Sequence, residues 1–193
     1  MIAPEDQGRA YLYRLLARLL AAAPDAATLG LLRGLGGDGS PVGGDLQGLA
    51  GAAATAGPGA LEREYHDLFI GVGRGELVPF GSWYLAGFLH EKPLAHLRRD
   101  LGTLGLGRTA GTKEPEDHVA SLCEAMALLI EGKGDLGAQK AFFERHLEGW
   151  APAFFADLER ARAARFYAAV GRLGARLMTL ERDGFAFVEG VAA

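Results

Sequence analysis

With 193 residues and a formal net charge of -4, the chain is long enough to bury one sizeable core and too acidic for the phosphate neutralisation behind general nucleic-acid affinity. Its one cysteine, Cys123, excludes an internal disulfide framework and a cysteine-based zinc site, and reads as a small buried apolar residue. No apolar run approaches the ~20 residues of a membrane span, and an acidic start with Arg14 and Arg18 inside the first apolar stretch is unlike a signal peptide, so the expectation is a cytoplasmic chain without stable membrane insertion.

Helical periodicity then runs along the chain. Tyr11, Leu12, Leu15, Leu16, Leu19 and Leu20 make one stripe, and Pro24 bounds it. Asp25 is placed to cap a short helix ending near Leu35. Residues 34–44, GLGGDGSPVGG, read as a loop, followed by a third helix over about 45–55. A fourth carries Leu61, Tyr65, Leu68 and Phe69 on one face. The glycine-rich stretch 71–82 reads as a connection, and helix resumes at Trp83. Pro93 opens a further helix bearing Leu94, Leu97 and Leu101, and 102–112 reads as loop.

The last eighty or so residues carry the clearest seams. Val119, Leu122, Met126 and Leu129 form one, and Phe143, Leu147 and Trp150 a second. Phe154, Phe155 and Leu158 form a short face, and Phe166, Val170, Leu173, Leu177 and Leu180 a longer one. Strand evidence is poor: seven valines and three isoleucines, with no alternating run. The expectation is an all-α, single-domain helical bundle over 1–193, with about nine or ten helices.

Four constellations invite a chemical reading. Gly71-Val72-Gly73-Arg74-Gly75 lacks both the preceding strand and the Gly-Lys-Ser/Thr of a phosphate loop, so it reads as a turn. In Glu114-Pro115-Glu116-Asp117-His118, Pro115 suits the first position of a helix, and Glu116 and Asp117 would then offset the helix dipole from its first turn. His118 falls one turn before Leu122. It suits either the edge of a groove, where a His beside an Asp can hold a hydrogen-bonding partner, or a satisfied core position. The histidines, at 66, 90, 96, 118 and 146, show no His-Glu-x-x-His spacing. Glu114 and His118 lack a third ligand, so no metal, cofactor or catalytic set is assigned. In Pro79-Phe80-Gly81-Ser82-Trp83-Tyr84, the adjacent aromatics suit either the wall of an apolar groove or ordinary core.

The order of these pieces matters more than any one of them. Glu64-Tyr65-His66-Asp67-Leu68-Phe69-Ile70-Gly71 leads to Pro79-Phe80-Gly81-Ser82-Trp83-Tyr84. Next comes Glu114-Pro115-Glu116-Asp117-His118, then Phe143-Glu144-Arg145-His146-Leu147 and Trp150-Ala151-Pro152. This succession resembles the TorD/DmsD family of redox-enzyme maturation chaperones, relatives of the nitrate reductase assembly chaperones. The resemblance implies a non-enzymatic, all-helical protein. Such a protein binds the twin-arginine signal peptide and the apo form of a molybdenum oxidoreductase, and holds that enzyme for cofactor insertion before export, as a monomer or a domain-swapped dimer. Carried over by position, Asp117 and His118 match the signal-peptide pair, Glu114 and Pro115 complete their motif, and Ser82, Trp83 and Tyr84 match a second block. Phe80 stands where the family often has Tyr.

Physically, two guanidinium groups followed by an apolar stretch call for carboxylates beside an apolar groove. Asp117 with Glu114 or Glu116 is expected to receive the arginines. Trp83, Tyr84 and Phe88 are expected to line the apolar part, and His118 to orient Asp117 or meet the peptide backbone. Two alternatives stand beside this: a nitrate-reductase-type assembly factor for a client lacking the arginines, and a small helical metal-dependent or acid–base enzyme using His118 and Glu114.

Overall fold

A computed structural model describes residues 3–89, 92–107 and 115–192. Among them are ten α-helices: α1 (Pro4–Ala21), α2 (Ala26–Arg33), α3 (Pro41–Thr55), α4 (Pro58–Tyr65), α5 (Gly81–Ala86), α6 (Lys92–Thr103), α7 (Val119–Leu128), α8 (Leu136–His146), α9 (Ala151–Arg160) and α10 (Phe166–Ala192). The fold is all-α; the described residues contain one isolated antiparallel bridge, Phe80 to His118. α4 and α7 each run into a wider π turn, closed by Gly71 N–H to His66 O at 2.7 Å and Gly134 N–H to Leu129 O at 3.1 Å.

The backbone resolves into two units. The first takes in Met1–Ala21, Pro79–Ala151 and Gly184–Ala193. Its centre is α1 against α7. Leu12, Leu16, Leu19 and Leu20 are buried, as are all four seam residues of α7 and its π turn: Val119, Leu122, Met126 and Leu129. Arg14 fixes α1 to the π turn through two hydrogen bonds to Glu131. The expected stripe of α1 needs one correction. Tyr11 is 50% exposed, and Tyr13 is the aromatic in the core, because a 3.6-residue period places Tyr13, and not Tyr11, on the side of Leu16 and Leu20.

The second unit takes in Ala22–Val78 and Pro152–Asp183. Asp25 caps α2 as expected, its Oδ1 accepting from Thr28 N–H at 2.7 Å. α3 starts at Pro41, earlier than composition suggested. Ser40 Oγ accepts from Gly43 N–H at 3.0 Å and Pro41 supplies a pre-set first position, which together nucleate helix in a glycine-rich stretch. Two carboxylates tie down the approach to α10. Glu64 accepts from the N–H groups of Arg165, Phe166 and Tyr167, and Glu76 from those of Arg162 and Ala163. α9 and α10 pack so closely that a Cβ on Gly171 would lie 2.6 Å from Glu159 N. Phe166, Val170, Leu173 and Leu177 are buried, but Leu180 is 45% exposed and Glu181 takes the inward position, since the stripe drifts by a residue over this length.

Gly71 and Gly73 hold positive φ, and no helix N-terminus follows them, so this segment is the turn its composition suggested. No helix among the described residues is long and apolar enough to cross a membrane.

Candidate functional site

The bridge between Phe80 and His118 sets two helix starts side by side in the first unit. Gly81 N–H donates to Asp117 O at 3.0 Å, and Val119 N–H to Pro79 O at 2.9 Å. This pairing needs extended backbone at 118, so α7 cannot begin at Pro115 as its sequence suggested. Pro115 sits instead in a turn closed by His118 N–H to Pro115 O at 3.2 Å, and Glu116 and Asp117 precede the helix.

His118 caps α7. Its Nδ1 accepts from Ala120 N–H at 3.1 Å, and its ring meets the Phe80 ring nearly edge-on at 4.9 Å. Burial pushes its pKa down to about 4, against the opposing pull of the Asp117 charge. The ring is therefore neutral near pH 7, with Nδ1 as acceptor and the proton on Nε2.

Asp117 reaches across 35 residues of sequence: its Oδ2 accepts from Ser82 N–H, the second residue of α5, at 2.8 Å. Its side chain is buried, and its Oδ1 has no hydrogen-bond partner among the described residues; neither has the buried Ser82 hydroxyl. Buried polar groups are nearly always paired, so two orphaned oxygens on neighbouring residues mark this spot.

Asp117 lines a cleft of about 390 Å³ among α5, α6, α7 and α8. The apolar wall is Leu85, Leu97, Leu122 and Trp150. Trp150 is anchored by its Nε1–H to His146 O at 2.7 Å and backed by Tyr84, ring to ring at 5.6 Å. Gly81 makes room for it, since a Cβ there would sit 3.1 Å from Trp150 Nε1. The polar wall holds Asp100, which accepts from His146 Nε2 at 2.9 Å and Arg145 Nη1 at 3.3 Å. Burial raises the Asp100 pKa, but these two donors outweigh it and hold the carboxyl below its ordinary value. For His146, burial wins over the carboxylate and holds the imidazole below its own ordinary value. The neutral ring thus donates to a charged carboxylate. Arg99 also lines the cleft.

The structure therefore gathers Ser82, Asp117 and His118. Glu116 turns to Arg98, which donates through Nε at 2.9 Å. Glu114 lies outside the described residues. Trp83 and Tyr84 are half-buried and Phe88 is 70% exposed; none of the three lines the cleft, where Trp150 stands instead. Asp100 and His146 were missed as partners, because a residue of α6 and one of α8 become neighbours only through packing. No cluster of three metal-ligating side chains occurs among the described residues.

The profile of the family described as nitrate reductase delta subunit matches residues 37–156, which include the whole cleft. The chain belongs to that family. Among curated relatives, the chaperone protein TorD of Vibrio cholerae serotype O1 is 33% identical over 124 residues, covering 58% of this chain and 56% of the relative. The TorD of Vibrio atlanticus is 26% identical over 125 residues, covering 58% of each chain. The chain thus spans rather more than half the length of the curated relatives it matches. A solved structure described as a redox enzyme maturation protein from Archaeoglobus fulgidus superposes with a TM-score of 0.61 at 23% identity, covering 89% of this chain and 93% of the other, which shows the shared all-helical fold. The likeness to TorD-type chaperones expected from the motifs is present, and the relatives carry the names of chaperones and maturation proteins, not of catalysts.

Proposed function

We propose that this member of the nitrate reductase delta subunit family is a cytoplasmic maturation chaperone. It binds the twin-arginine signal peptide of a molybdenum-containing oxidoreductase and holds the apo enzyme for cofactor insertion before export. The observation that carries the reading is Asp117: a buried side chain with one oxygen committed to Ser82 N–H and the other unpartnered, in a cleft that sets an apolar wall of Leu85, Leu97, Leu122 and Trp150 opposite a polar one. A guanidinium group satisfies such an oxygen with a charge-assisted hydrogen bond. The apolar stretch that follows the arginines suits Leu85, Leu97 and Trp150.

His118 supports Asp117 from the chain position next to it, as the neutral cap of α7 rather than as an acid or base. A second reading, an assembly factor for a nitrate reductase whose N-terminus lacks the arginines, is favoured by the family profile's own description. The test is genetic. In a strain lacking the chain, exported molybdenum-oxidoreductase activity falls and is restored by the wild-type chain but not by Asp117→Asn. Exported activity unchanged by the deletion contradicts the proposal.

A further inference from the structure

The cleft holds more than one carboxylate, but they are not equivalent. Asp100 is committed on its Oδ2 to both His146 and Arg145. Glu116, on the turn just before Asp117, is committed to Arg98 through both Nε and Nη2, each at 2.9 Å. On Asp117, Oδ2 is committed to Ser82 N–H, and Oδ1 is the buried carboxylate oxygen of the cleft with no partner among the described residues. Two guanidinium groups, Arg99 and Arg145, already stand in the cleft wall.

We infer that the cleft takes one basic side chain of the client segment, seated on Asp117 Oδ1, and excludes a second. The inference rests on the proposed peptide-binding role and refines it: of two adjacent arginines, one enters and its neighbour stays in solvent. A second guanidinium seeking Asp100 would meet a carboxylate whose charge Arg145 and the His146 N–H, 2.9 Å away, already engage on Oδ2. Arg145, tethered on α8, would stand beside the newcomer as a like charge. Adjacent side chains also point in different directions on a helix or an extended strand, so one side chain entering turns the other outward. The Leu85, Leu97 and Trp150 wall then meets the apolar residues that share a face with the seated arginine.

The experiment is calorimetric titration of the full chain with four synthetic peptides: an Arg-Arg pair preceding an apolar stretch, each single Arg→Ala form, and the double form. One single form is expected to bind within about twofold of the parent. The other is expected to lose about tenfold or more, matching the double form, as the loss of one charge-assisted hydrogen bond requires. Asp117→Asn is expected to erase the difference between the two single forms. In that variant the amide oxygen can still accept from Ser82 N–H, while the amide nitrogen replaces the orphaned acceptor, so the fold is retained. If both single forms lose affinity equally and their losses add, the cleft takes two cations; the one-cation inference falls while the peptide-binding role stands. If all four peptides bind alike, or none binds, both fall together.

Discussion

Asp117 supports the start of α5 in addition to its proposed part in peptide binding, and truncating it should expose the structural role. In Asp117→Ala, Ser82 N–H loses its acceptor at 2.8 Å in a fully buried position. A buried donor left unpaired costs about 1–3 kcal/mol. Removing the orphaned Oδ1 returns part of that, because the wild-type protein already carries one unsatisfied oxygen there. The net expectation is a loss of about 1–2 kcal/mol, which for a chain of this size lowers the melting temperature by about 2–8 °C. Asp117→Asn keeps an acceptor for Ser82 N–H and should stay within about 1 kcal/mol of wild type. Urea unfolding followed by circular dichroism on the three proteins measures both. An Ala variant as stable as wild type, or an Asn variant as unstable as Ala, would refute the assignment of Oδ2 to the start of α5.

Two further predictions concern the frame. His118 has its pKa near 4 in the folded chain against 6.5 ordinarily, so between those values the unfolded state binds a proton that the folded state does not. Its contribution is intact above pH 6.5 and is lost as pH falls towards 4, by up to about 3 kcal/mol. The stability advantage of wild type over His118→Asn should therefore shrink from pH 7 to pH 4, and an advantage independent of pH would contradict the buried neutral ring. In α10, Gly171→Ala brings a Cβ to 2.6 Å from Glu159 N and 2.8 Å from Phe155 O, forcing helix backbones apart at about 1–3 kcal/mol. Gly184→Ala, with nothing within 4 Å, should instead stabilise by up to about 1 kcal/mol in the same urea assay, and equal effects at both positions would overturn the close approach.

How far the sequence carried the fold differs from element to element. Val119, Leu122, Met126 and Leu129 were legible as a core seam because helical spacing alone decides which face they share, and all four are buried. Asp25 was legible as a cap because capping is local. α3 began earlier than expected because Ser40 and Pro41 outweigh the glycines that follow them. Tyr11 and Leu180 came out exposed, because the limits of a stripe depend on which neighbours cover it.

The candidate site was legible only in part. Asp117, His118 and Ser82 could be singled out by motif. That Asp117 caps α5 rather than opening α7 follows from the bridge between Phe80 and His118, which joins segments far apart in sequence. Asp100, His146 and Trp150 belong to the cleft through tertiary packing, and no spacing rule connects them to Asp117.

The chain is proposed to recognise a basic client segment through the Asp117 cleft. The most direct measurement is titration calorimetry of the purified chain with a signal peptide bearing the arginine pair and with the same peptide carrying alanine at both positions. Affinity is expected to fall about tenfold or more without the arginines, and Asp117→Asn is expected to bind the two peptides alike. Equal affinity of the wild-type chain for both peptides would contradict it.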